Sequence, residues 1–191
     1  TSSLVRKSEC VDSNNNAADF VVSTAIPIRT LSSPVGSCNA KNGAGKAGGE
    51  IDFCNVQWPK SLSTAVNTAT ETVYARIRNE PATTYSGAHP TVAPAGLLAQ
   101  IGYGPVAANP LYEPGYTWSN ASINAGASGV TSPWIEFMGT FTPAAAGTYH
   151  YLYRFSVDNG ANWTFCDNDA GAGYGAAFAN ESMYNVTVTN P

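Results

Sequence analysis

The sequence predicts an all-β chain folded as an antiparallel β-sandwich on three observations, and two further features, a tyrosine-corner motif and an orphan first strand, make it immunoglobulin-like with a docked or exchanged N-terminal strand. In the stretch TYHYLYRFSVDNGANWTFCDND, Tyr149, Tyr151, Tyr153 and Phe155 alternate with His150, Leu152 and Arg154. That period of two is a strand with one aromatic face turned inward. Strand-like segments then recur at 51–58, 72–79, 97–103, 116–123, 134–141, 148–157, 162–167 and 183–189, with Gly, Pro and Asn between them. Short strands at such spacing pack as two sheets. Finally, apolar residues nowhere hold helical spacing across three turns, so helix is minor.

The elements divide into three stretches. Residues 1–38 form an N-terminal strand and loop segment: SSLVRKSE can make one strand, DSNNNAADF is turn-forming, and Ile26 to Pro34 is extended by its prolines. This segment is too poor in apolar residues to fold alone and needs a sheet to dock on. Residues 39–50, NAKNGAGKAGGE, read as a Gly-rich connector. Residues 51–191 carry the sandwich. Within it Ala146-Gly147-Thr148-Tyr149 precedes the long aromatic strand in the manner of a tyrosine corner, whose hydroxyl bonds backbone across the bend. The core position two residues later is Tyr151, where an antibody domain carries a cysteine. Trp58, Trp118, Trp134 and Trp163 read first as core plugs or strand-edge anchors.

Composition narrows the function classes. Charged residues are 12% of the 191, against roughly a quarter in an average soluble protein. Neutral polar groups carry the surface instead, as in secreted β-proteins. The net charge is −4 without a Lys/Arg cluster, so there is no footprint for a nucleic-acid backbone. No apolar run approaches the roughly 20 residues of a membrane span, so no membrane insertion is expected. Thr1 is not followed by a charged-then-apolar leader, so any targeting segment was removed or lies outside this chain.

The cysteines are Cys10, Cys38, Cys54 and Cys166, and none lies in a metal-ligand cluster. Two disulfides and an oxidising compartment follow, with Cys10–Cys38 and Cys54–Cys166 the favoured pairing among three. The first closes a local loop; the second ties the opening strand of the sandwich to a late one.

Ser156, Asp158, Gly160 and Trp163 match S-x-D-x-G-x-x-W, the pattern called the Asp-box. Its physics is a hairpin: a carboxylate folds onto turn N–H groups, Gly takes a positive φ, and the aromatic covers the turn. Sialidases repeat this box on a propeller, away from their catalytic centre. Here it occurs once, and the arginines are scattered. Asp158, Asp167 and Asp169 are candidate Ca²⁺ ligands, set against a reading as turn-capping side chains, which we favour. The run Asp12-Ser13-Asn14-Asn15-Asn16 with Asp19 starts like a calcium loop but lacks its central Gly and distal Glu. Catalysis finds little footing: the two histidines are His89, before Pro90 in a loop, and His150, on a strand among aromatics. There is no G-x-S-x-G elbow and no carboxylate pair at a motif-set separation. Asn120, Asn162, Asn180 and Asn185 fit N-x-[ST] sequons.

Two segments resemble known families. IDFCNVQWP, ETVYARI, GLLAQIGYGP, PGYTWSNA and the YRFS-x-D-x-G-x-x-W-T core, spanning Ile51 to Val188, resemble an immunoglobulin-like module of large secreted proteins of environmental bacteria. SLVRKSECVDSNNNAADFVVS resembles the closing strand and tail of a lamin-tail domain, with the earlier strands missing. These resemblances imply a non-enzymatic extracellular module at a bacterial cell surface, structural or adhesive in role. An unpaired N-terminal strand would allow head-to-tail exchange between copies, hence a fibre or surface layer, or docking on neighbouring domains. The alternative is a carbohydrate-binding module that presents Tyr103, Tyr112, Tyr116 and Trp118 to glycans. Neither reading requires a cofactor.

Overall fold

The computed structural model describes residues 3–6, 20–23, 41–42, 51–110, 114–168 and 182–191. The chain divides into two compact units, Thr1–Asn39 and Ala40–Pro191. In the first, β1 (Ser3–Arg6) pairs antiparallel with β2 (Phe20–Ser23), Leu4 opposite Val22. The N-terminal strand thus has a partner inside its own segment. The expectation of an unpaired N-terminal strand missed this pairing.

The second unit is the immunoglobulin-like sandwich, with no α-helix among the described residues. Its strands are β3 (Lys41–Asn42), β4 (Phe53–Trp58), β5 (Ser61–Ala65), β6 (Val73–Arg78), β7 (Leu98–Pro105), β8 (Thr117–Asn120), β9 (Ser122–Ile123), β10 (Trp134–Gly139), β11 (Gly147–Ser156), β12 (Thr164–Cys166) and β13 (Tyr184–Thr189). One sheet runs β4-β6-β10-β9. In the other, β11 pairs along its length with β7, which pairs with β8. The opposite edge of β11 is shared between β13 and β12. β5 joins β13 in parallel, and β3 joins β12 in parallel. In immunoglobulin lettering this is A-B-E-D facing C′-C-F-G-A′, the first strand being divided between the sheets at Pro59. Lys41 and Asn42, inside the stretch expected as a connector, thereby extend a sheet edge.

Strand structure is present in all eight expected stretches, but 116–123 is split into β8 and β9 in different sheets, and β3 and β5 are additional. The β5 sequence SLSTA offers one buried apolar side chain, Leu62, and its partner is the last strand of the chain. Nothing local marks such a pairing.

The two sheets close on a core of alternating residues, including Val73, Ala75 and Ile77 of β6, Ile135 and Phe137 of β10, Ala99 and Ile101 of β7, and Tyr151, Tyr153 and Phe155 of β11. Three devices lock them. The Tyr149 hydroxyl donates to the Ala145 carbonyl at 3.1 Å, which is the tyrosine corner. Tyr151 and Tyr153 reach across the sandwich, their hydroxyls donating to the Pro59 and Val73 carbonyls at 2.5 and 2.7 Å. Burial pushes both hydroxyls above the ordinary tyrosine range, for Tyr151 with the nearby Tyr184 and Glu71 charges adding, for Tyr153 with Glu136 and Tyr74 adding. Finally Cys54 of β4 is disulfide-bonded to Cys166 of β12, with the Cα atoms 5.5 Å apart. Beside it the Val56 N–H donates to the Asp167 carbonyl at 2.8 Å. Hydroxyl ties from β11 therefore stand where an antibody domain has its inter-sheet disulfide, and the disulfide has moved to a neighbouring strand.

Candidate functional site

Strand β11 is buried on both faces, because its outward residues carry a second small core. Leu152, Phe165 and Met183 are buried there, with Tyr116, Trp118 and Trp163 packed against them. The register explains how rings from β8 reach Leu152. Trp118 lies opposite Gly102 on β7, and Gly102 lies opposite Leu152 on β11. A Cβ on Gly102 would stand 2.6 Å from Trp118 Cζ3, and one on Gly104 would stand 2.6 Å from Tyr116 Cγ. Two glycines in the G-x-G of β7 leave a trough in which the rings of Y-x-W lie flat on the sheet.

Arg154 completes the layer. Its guanidinium carbon lies 4.1 Å from the Trp118 ring centroid and 4.3 Å from that of Trp163, close enough for cation–π attraction on both sides. Its Nε and Nη2 donate to Gln100 Oε1 at 2.9 and 2.6 Å, and Gln100 Nε2 donates to Asn120 Oδ1 at 2.9 Å. Burial lowers the Arg154 pKa to about 10, so it remains a cation at neutral pH. His150, on the same face of β11, is pushed below the ordinary histidine range by burial, and its Nδ1 is buried without a hydrogen-bond partner.

The Asp-box closes the hairpin after β11. Ser156 Oγ donates to Asp158 Oδ1 at 2.7 Å and accepts the Gly160 N–H at 2.8 Å. Asp158 Oδ1 accepts the Asn162 N–H at 2.8 Å, and Oδ2 accepts the Asn162 amide at 2.5 Å. Burial alone would raise the Asp158 pKa, but these bonds from Asn162 and Ser156 outweigh it and hold it below the ordinary value. Gly160 takes φ +88°, and a Cβ there would touch Trp163 at 3.5 Å. The carboxylate thus serves the turn.

Of the other expected site residues, Asp167 is buried one position past β12, whose Cys166 faces Tyr153. That register sets it about four strand positions, roughly 13 Å, from the Ser156 end of β11. Asp158 and Asp167 are therefore not brought together, and Asp169 lies outside the described residues. No group of three or more His, Cys, Asp or Glu among the described residues is placed to hold a metal ion. Tyr103 faces the core, stacked on Phe141 at 5.0 Å and edge-on to Tyr149 at 5.6 Å. Tyr116 and Trp118 stack on each other at 5.9 Å within the outer layer, and Tyr112 lies outside the described residues, as do Cys10 and Cys38. His89 accepts the Glu136 N–H at 3.0 Å and packs edge-on against Tyr85, which pins a loop to β10.

The opposite sheet carries a related device and one open feature. On its outer face Arg76 lies 4.6 Å from the Trp134 ring centroid and donates to Asn55 Oδ1 at 3.0 Å. Trp58, expected as a plug or edge anchor, is 52% exposed. It stands opposite Tyr74, Tyr74 opposite Met138, and Met138 opposite Ser122, which makes one row across β4, β6, β10 and β9. The row ends at a cleft of about 260 Å³ lined by Thr72, Asn120, Ser122, Met138, Gly139 and Thr140. Sequence reasoning missed this site because a bulge between Val56 and Trp58 resets the facing of Trp58.

No protein-family model and no curated protein sequence matches the chain. Among solved structures it is similar to the CARDB domain of a Pyrococcus furiosus protein crystallised in complex with di-metal ions. The two share 8% identity over 74% of this chain and 96% of that chain, with a TM-score of 0.32. A likeness at that level assigns neither ligand nor metal here.

Proposed function

We propose that this chain is a durable, non-enzymatic structural module of a secreted or cell-surface protein. The observation that carries the reading is the set of covalent and hydroxyl ties between the sheets: Cys54–Cys166, Tyr151 to Pro59 and Tyr153 to Val73. A disulfide across 112 residues restricts the unfolded chain by about 4–5 kcal/mol in the chain-entropy model. Such a bond persists in oxidising compartments, which supports an extracellular setting. The Asp-box carboxylate and the Arg154 guanidinium are both engaged in holding turn and sheet, which fits a load-bearing or spacing role better than group transfer.

The test is peptide mapping of protein recovered from its source, together with unfolding with and without reductant. A linked Cys54–Cys166 peptide pair and a large loss of stability on reduction are expected. Free thiols in the recovered protein, with unchanged stability after reduction, would overturn the reading.

A further inference from the structure

We propose that the outer face of the β4-β6-β10-β9 sheet binds a neutral oligosaccharide along the row Trp58–Tyr74–Met138–Ser122, whose far end is the polar cleft. This goes beyond the structural role and does not depend on it. Three of the four tryptophans are engaged by arginine: Trp118 and Trp163 by Arg154, and Trp134 by Arg76. The fourth, Trp58, stands half in water on a strand pinned at Cys54. The residue after it is held in place as well, since the Pro59 carbonyl accepts the Tyr151 hydroxyl. The ring is therefore presented by rigid backbone, which lowers the ordering cost of binding.

The lining identifies the ligand class. Trp and Tyr faces offer apolar area with a polar edge, which suits the C–H face of a sugar ring. The cleft adds the hydroxyl-bearing residues Thr72, Ser122 and Thr140, with Asn120, whose Oδ1 accepts from Gln100, at its edge. No side chain of the row or of the cleft is charged, and Arg76 beside the row is held by Trp134 and Asn55, so a neutral ligand suits the row better than a phosphate or a carboxylate. A lipid tail would meet too many polar groups. Three interstrand steps make the row roughly 14 Å long, enough for several sugar units. The Trp58 and Tyr74 rings are tilted by 41° with centroids 6.2 Å apart. Two inclined planes follow a twisted single chain, not a flat crystalline surface.

The experiment is affinity electrophoresis and tryptophan-fluorescence titration of the full chain against hydroxyethyl cellulose, xylan, galactomannan, β-1,3-glucan, polygalacturonate and microcrystalline cellulose. At least one of the four neutral soluble polysaccharides should retard the protein, and polygalacturonate and the crystalline form should not. Trp58→Ala should weaken that association by about tenfold or more, the scale of losing one aromatic anchor. Tyr74→Ala should weaken it too, with unchanged Tm in both variants, whereas Trp163→Ala should leave it intact. Failure of all four neutral polymers would overturn the proposal. So would full binding by Trp58→Ala, or a self-association in sedimentation velocity that only Trp58→Ala removes, which would make the row a contact between copies.

Discussion

The two outer faces of the sandwich use the same residues to opposite effect. On the β8-β7-β11-β12 face, Trp118, Arg154 and Trp163 form a closed layer over Leu152. On the β4-β6-β10-β9 face, Arg76 is covered by Trp134, yet Trp58 remains in water. The difference lies in the strand beside each ring. β7 presents Gly102 and Gly104 outward, so neighbouring rings lie down on the sheet. Beside Trp58, β6 presents the Tyr74 side chain outward, so that ring has no trough to enter. Between Trp118 and Trp58 the difference thus follows the volume of the cross-strand neighbour, Gly102 for one and Tyr74 for the other.

The strongest way to break the closed face is Leu152→Ala. Leu152 is fully buried on a side of the sheet that would ordinarily be wet, and its loss should cost about 2–5 kcal/mol in denaturant unfolding. Gly102→Ala comes next. The added methyl would meet the Trp118 ring, and lifting that ring should cost about 1–3 kcal/mol and red-shift tryptophan emission. The smallest effect is on pH. Burial lowers the His150 pKa in the fold, so its contribution is complete above the ordinary value of about 6.5 and fades as pH falls through the lowered one. His150→Phe should flatten that acidic limb in Tm measured against pH.

The longer strands of the sandwich were legible because their sequence alternates and their turns are punctuated, whereas β3 and β5 were not. The tyrosine corner and the Asp-box were legible because each is a local motif whose hydrogen bonds close within four residues. The Cys54–Cys166 link was the favoured pairing because it ties the opening strand of the sandwich to a late one. The two faces were not legible, because they depend on register between strands far apart in sequence. G-x-G at Gly102 and Gly104 and Y-x-W at Tyr116 and Trp118 share a spacing of two, which is the one signal that could have paired them. Taken singly, those aromatics look like a glycan platform, and Trp58 looks like a plug. Gly102 and Gly104 of β7 reverse the first reading, and the bulge at Gln57 reverses the second.

The most direct test of this contrast is the thermal and denaturant stability of Trp118→Ala beside Trp58→Ala. Trp118→Ala should lose about 2 kcal/mol or more, and Trp58→Ala should stay within about 0.5 kcal/mol of the parent chain. Equal losses, or a larger one at Trp58, would contradict the division into a closed structural face and an open one.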